Sequence, residues 1–184
     1  MAIHLGGSRS LAPSPLVSQV VRAVLAQDQA VHVGCAVGAD QQVIQAASQA
    51  STKRSFLVVF AAFAAGGAGA WSGSAVQAVS QAKQAGFLVH FLAGGSLAVP
   101  LVARLMRRSQ AALAGCSASV FFLAQAASPG SLAVASQAVK SGQPVFAFCP
   151  FVPCPPRGCA GRWVAASFLG FPCWVWSPAQ QSFF

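Results

Sequence analysis

Four short segments concentrate the side chains able to do chemistry. Gly6-Gly7-Ser8-Arg9-Ser10 joins two glycines, hydroxyls and a guanidinium. Paired glycines let backbone approach an anion, exposed N–H groups and Ser8 donate to it, and Arg9 adds a charged fork. The plainer alternative is a glycine turn with Arg9 in solvent. The second segment, running from Gly34 through Cys35 and Gly38 to Asp40, is a glycine-bearing loop that ends in an acid. Asp is a favoured helix N-cap. Yet Asp40 is one of only 2 acids in a chain that uses Ser freely, so we expect it to face a ribose hydroxyl or a base. Gly94-Gly95-Ser96 precedes Arg104, Arg107 and Arg108. Spacings of three and four place these arginines on one broad helix face, as anion readers or as a solvated surface. Ser128-Pro129-Gly130-Ser131 offers N–H groups and hydroxyls where a helix begins, a second phosphate cradle. An ordinary Pro-Gly turn with a serine cap is the competing reading.

The composition removes other chemistries. Asp28 and Asp40 are the only acids, against 11 Lys plus Arg and a net charge of +9. A two-carboxylate glycosidase site needs two acids flanking one bond, and only Asp40 lies in a plausible site; an octahedral site of protein carboxylates is likewise excluded, and no metal or cofactor is expected. The basic balance suits phosphate ligands, nucleic acid or an acidic membrane surface. Its charges are dispersed apart from Lys53-Arg54 and Arg107-Arg108.

Mean hydropathy is +0.63, but the apolar windows 56–70, 85–103 and 111–127 are broken by glycines, His90, Pro100, Ser117, Ser119 and Gln125. A spanning helix needs about 20 predominantly apolar residues, so no membrane association is expected. The opening MAIHLGGSRS has no basic stretch ahead of an apolar run, and a reduced, cytoplasmic protein is expected.

Of the 6 cysteines, Cys35 and Cys116 read as small core residues. Cys149, Cys154 and Cys159 are spaced more loosely than a zinc knuckle; with Cys173 they read as free or packing thiols. His4, His32 and His90 fall in or beside strands and read as core or edge imidazoles. Trp163, Trp174 and Trp176, with Phe168 and Phe171, form an aromatic tail suited to covering a core or an oligomer interface. A homo-oligomer is expected.

The elements that must position these loops alternate along residues 1–150. Short apolar runs predict strands at Ile3–Leu5, Val31–Val33, Phe56–Phe60, Phe87–Leu92, Ser119–Leu123 and Val145–Phe148. Helices are expected at Pro15–Gln27, Gln41–Ala50, Ser74–Ala85, Val99–Leu113 and Leu132–Lys140. Unalternating apolar strands between helices imply a parallel sheet covered on both faces. The expected fold is therefore α/β: a doubly wound, mostly parallel Rossmann-like sheet of about six or seven strands. Residues 151–184 read as a Pro/Cys/Trp-rich extension packing on that domain. Within it, Trp163–Phe168 and Cys173–Trp176 are each a short helix or an extra strand, and the tail PAQQSFF is expected to fray.

GSR after the first strand, VGCAVGAD after the second, an arginine-bearing helix before the fifth, and SPGSLAVASQAV before PVFAF together resemble the SLOG superfamily. That group includes the DNA-processing protein DprA, YspA-like domains and LOG-type "lysine decarboxylase-like" phosphoribohydrolases. The resemblance covers about residues 1–150 and implies a Rossmann-like domain that binds nucleotides, nucleotide-derived signals or nucleic acid. It implies that the two Gly/Ser loops hold phosphate, with Gly34 and Gly38 in the adjoining loop and the Arg104, Arg107 and Arg108 helix supporting the ligand. LOG-type enzymes carry PGGxGTxxE, whose Glu serves N-glycosidic cleavage. Laid from Pro129, this pattern puts Ser131 at the second Gly, Val134 at the Thr and Gln137 at the Glu. A Gln amide cannot take a proton from water, which disfavours hydrolysis of nucleoside monophosphates. Binding of a nucleotide is the leading reading; DprA-like nucleic-acid binding and homo-oligomeric assembly are the alternatives.

Overall fold

The computed structural model describes residues 1–50, 54–152, 154–159 and 161–178. Lys53 and residues 179–184, part of the tail expected to fray, lie outside the described residues. The elements run β1 (Ala2–Gly7), α1 (Pro15–Ala26), β2 (Ala30–Val33), α2 (Ala39–Ala50), β3 (Leu57–Ala61), α3 (Gly73–Gln84), β4 (Leu88–Phe91), α4 (Leu101–Leu113), β5 (Cys116–Phe122), α5 (Pro129–Lys140), β6 (Val145–Phe148), β7 (Arg162–Phe168) and β8 (Phe171–Ser177). The fold is thus α/β, with five α-helices and one eight-stranded, mostly parallel sheet among the described residues.

Local sequence explains these elements. In α1, Pro15 occupies the first turn, and Val17, Val20, Val21 and Val24 form the buried stripe at helical spacing. Gly86, at φ +87°, follows α3 in the left-handed conformation that ends a helix. β3 is buried at every position, Leu57 through Ala61, as befits a strand covered on both faces. α5 starts three residues before its expected first residue because Pro129 opens the helix rather than a turn. Gly130 and Ser131 are consequently first-turn helical residues.

The strand order is β4-β3-β2-β1-β5-β6-β8-β7. β1 to β6 pair in parallel, with Leu5 opposite both Val33 and Val120. From β1 the chain steps outward to β4, then returns to place β5 on the other side of β1. The order therefore reverses between β1 and β5. α2 packs against both α1 and α3 over the larger core, which includes Leu5, Val20, Val43 and Val79. α4 packs against α5, and Leu113, Phe121, Leu132 and Ala138 share a second cluster.

The expected six or seven strands are eight, because residues 162–177 form an antiparallel hairpin that joins the sheet through β8 and β6. Phe168 pairs with Phe171, leaving Leu169 and Gly170 as a two-residue turn with φ +50° and +87°. Two consecutive positive φ values match the twist of an antiparallel ribbon. Leucine is a poor residue for that conformation, which hid the hairpin from a reading based on turn residues. Trp174 and Trp176 alternate along β8 and, with Trp163, pack on the core beside α5.

Among the described residues, no helix is long and apolar enough to cross a membrane.

Candidate functional site

A cleft of about 510 Å³ opens at the carboxyl ends of β1 and β5, where the strand order reverses. In open parallel sheets this is where ligands bind, and the volume is that of a small-molecule site. One wall carries Gly6, Gly7, Ser8, Arg9 and Ser10; another carries Ser128, Pro129, Gly130, Ser131 and Val134. α4 supplies a third with Val102, Leu105, Met106 and Ser109, while His4, Asp40, Arg108 and Phe121 also line the space.

Close backbone approach builds the first wall. A Cβ on Gly7 would overlap the Phe122 carbonyl, so only glycine lets the ends of β1 and β5 meet. Ser8 is buried and acts as a clamp. Its amide donates to the Phe122 carbonyl (2.9 Å), its hydroxyl donates to Ser128 Oγ (2.8 Å), and that same Oγ accepts the Ala124 amide (3.1 Å). Ser128 passes its own proton to the Gln125 carbonyl (3.0 Å). The Ser8 hydroxyl thus ties two cleft-lining loops together, its proton already given to Ser128. Arg9 is exposed at the rim.

Behind the loops lies a buried ion pair. Arg108 Nη1 donates to Asp40 Oδ2 (2.9 Å), and the Ala36 amide donates to the same oxygen (3.0 Å). A Cβ on Gly34 would overlap both Arg108 and Asp40, so glycine there makes room for the pair. Gly38, at φ +76°, carries the loop beneath the Ser8 and Arg9 carbonyls into α2. Burial alone would lower the Arg108 pKa, but Cys35 and Asp40 raise it overall, so the guanidinium stays charged. Asp40 Oδ1 lies within 3.3 Å of the point a Gly6 Cβ would occupy, and His4 Nε2 within 3.2 Å of the same point.

Two buried groups on the floor, Arg108 Nε and His4 Nδ1, have no hydrogen-bond partner among the described residues. Burial, then Arg108 and His32, push the His4 pKa down to about 3, so His4 is neutral at physiological pH. The N-terminus of α5 is equally open. Ser128 makes no side-chain cap bond, Pro129 has no N–H, and Leu132 is the first amide to bond back, to the Ser128 carbonyl (2.9 Å). The Gly130 and Ser131 amides remain at the positive end of the helix dipole.

The sequence-derived candidates divide here. Gly6, Gly7, Ser8, Arg9, Asp40, Arg108, Ser128, Gly130 and Ser131 all line the one cleft, and Gly34 and Gly38 shape it. Gly94, Gly95, Arg104 and Arg107 do not line it. Arg104 is buried and donates to the carbonyls of Val99 (2.9 Å), Gly69 (3.2 Å) and Ala62. Arg107 is exposed, on the side of α4 near Gly95. The three arginines do not share a face because Arg104 and Arg108 occupy buried positions of α4, in phase with Ala112. Gln137 lines a separate groove with Gln110 and Lys140.

Sequence reasoning passed over His4, Phe121, Met106 and Val102. The spacing of Val102, Leu105, Met106 and Ser109 was the available signal, since it marks an α4 stripe distinct from its arginines. The cysteines are all free thiols. Burial first, with Cys154 nearby, pushes Cys149 up to about 11, and burial pushes Cys116 up to about 12. No group of three or more His, Cys or Asp side chains able to hold a metal occurs among the described residues. Compared with protein-family models, curated proteins and solved structures, the chain matches none.

Proposed function

We propose that this chain binds a nucleotide, or a nucleotide-derived phosphate ligand, in the β1/β5 cleft of a doubly wound, Rossmann-like domain of SLOG type. The observation that carries the reading is Arg108. It is charged, buried, held at one nitrogen by Asp40 and unpartnered at another, and it lines a cleft shared with the uncapped start of α5. Burying a guanidinium with an unmet donor is costly; an anion in the cleft beside Arg108 offsets part of that cost through its charge.

In this reading the Gly130 and Ser131 amides and the Gly6-Gly7 backbone receive phosphate oxygens. Arg9 closes over them from the rim and Arg108 supplies charge from the floor. Asp40, with Oδ2 engaged, turns Oδ1 toward a sugar hydroxyl. Ser8 and Ser128 hold the two phosphate loops in register. A soluble cytoplasmic ligand fits this chemistry, and Asp40, the one acid lining the cleft among the described residues, is already paired with Arg108, which favours binding over N-glycosidic cleavage.

The test is calorimetric titration of the full chain with a nucleotide panel, alongside thermal shift. Saturable binding that weakens about tenfold in Arg9→Ala is expected, the scale of one charge-assisted contact. No binding by any nucleotide, or binding indifferent to Arg9→Ala, would overturn the reading.

A further inference from the structure

The apolar part of the cleft is left unused by phosphate chemistry. Val102, Leu105 and Met106 of α4 face the cleft that Pro129 and Val134 of α5 also line, and Phe121 contributes to its floor. Val102 is 73% exposed, an unusual position for a valine at the mouth of a cleft. Ser109 is the one polar side chain α4 adds apart from Arg108, and its hydroxyl is already bonded to the Leu105 carbonyl (3.0 Å). The stripe therefore offers apolar area and one hydroxyl that has given its proton and can only accept from the edge of a base. Gln125, in the β5–α5 loop, carries both donor and acceptor in an amide that rotates to suit either pattern.

We propose that this slot between α4 and α5 seats the flat ring of the ligand by its faces and leaves the ring's edge unread. The site then takes nucleoside 5′-phosphates whatever their base. The inference rests on the phosphate reading above and adds a second anchor to it. Face contact with apolar side chains is tolerant of ring identity, because every base presents the same kind of surface. Discrimination against a wrong base requires buried polar groups that its edge would leave unpaired; the two that α4 brings to the cleft are Arg108, assigned above to the phosphate, and Ser109, whose proton is given to the Leu105 carbonyl.

The experiment titrates the full chain with AMP, GMP, CMP, UMP and ribose 5-phosphate. The four nucleotides are expected to bind within about threefold of one another, and ribose 5-phosphate at least about tenfold more weakly for want of the buried ring. Val102→Ser, at an exposed position that folding does not depend on, is expected to weaken the nucleotides about fivefold and leave ribose 5-phosphate unchanged. Ribose 5-phosphate binding as tightly as AMP, one base preferred more than about tenfold, or Val102→Ser weakening every compound alike would each overturn the slot and leave the phosphate site standing. Failure of all five compounds to bind would overturn both.

Discussion

Two regions of this molecule are written in the same residues and differ in structure. Each has a glycine pair at or beyond the end of a parallel strand, a serine nearby and an arginine drawn from α4. At Gly6-Gly7 the backbone opens onto a cleft, and Arg108 is held on its floor by a single carboxylate. At Gly94-Gly95 the loop is stitched shut. A Cβ on Gly94 would overlap the Arg104 backbone, and Arg104 spends its guanidinium on the carbonyls of Ala62, Gly69 and Val99. The difference is position in the sheet. Gly6-Gly7 ends β1, beside which the strand order reverses and two loops diverge. Gly94-Gly95 follows β4, at the edge of the sheet, where the chain folds back onto its own next helix. Glycine and arginine become a candidate site where topology leaves a crevice, and a brace where it does not.

The comparison breaks most readily at Asp40. Asp40→Ala leaves Arg108 buried and unpaired, and is expected to cost about 3–5 kcal/mol in urea unfolding. The double change Asp40→Leu with Arg108→Met is expected to regain most of that stability while abolishing nucleotide binding. Retained binding in the double variant would show that the pair serves the fold alone. Next in size, Arg104→Ala removes the brace and is expected to cost about 2–3 kcal/mol, with nucleotide affinity unchanged in the folded fraction. Lost affinity there would erase the distinction between the two regions.

His4 gives a pH signature of the cleft floor. Its pKa falls to about 3 in the fold from an ordinary 6.5. Between those values the unfolded chain binds a proton that the native chain refuses, so stability declines as pH drops below 6.5. Burial also lowers His32, which adds in the same direction. His4→Gln is expected to remove about 2 kcal/mol of the loss between pH 7 and pH 5; an unchanged pH profile would place His4 outside the buried floor. Smallest is Arg9→Ala, exposed at the rim. It is expected to leave unfolding within about 0.5 kcal/mol, so its effect on affinity reads the site without the fold.

Much of this was legible in the sequence because the controlling signals are local. The valine stripe of α1, the Gly86 stop and the uniformly apolar β3 each state their element in a few residues. The cleft loops were legible for the same reason, since glycine pairs and Ser-Pro-Gly-Ser encode backbone behaviour directly. What stayed hidden depends on partners distant in the chain. Arg104 and Arg108 look alike four residues apart, and their different roles are set by Ala62 and Gly69 for one and Asp40 for the other. The Leu169-Gly170 turn hid because leucine takes a conformation that sequence rules reserve for Gly, Asn and Asp. His4 looked like a strand residue, which it is; its role as cleft floor comes from β5 arriving beside β1.

The β1/β5 cleft, and not the glycine pair after β4, is the proposed phosphate site. An amide-resolved NMR titration of the full chain with AMP tests it most directly. Saturable shifts are expected at the Gly6, Gly7, Gly130 and Ser131 amides, with Gly94 and Gly95 unmoved. Shifts centred on Gly94 and Gly95, or a spectrum that AMP leaves unchanged, would contradict it.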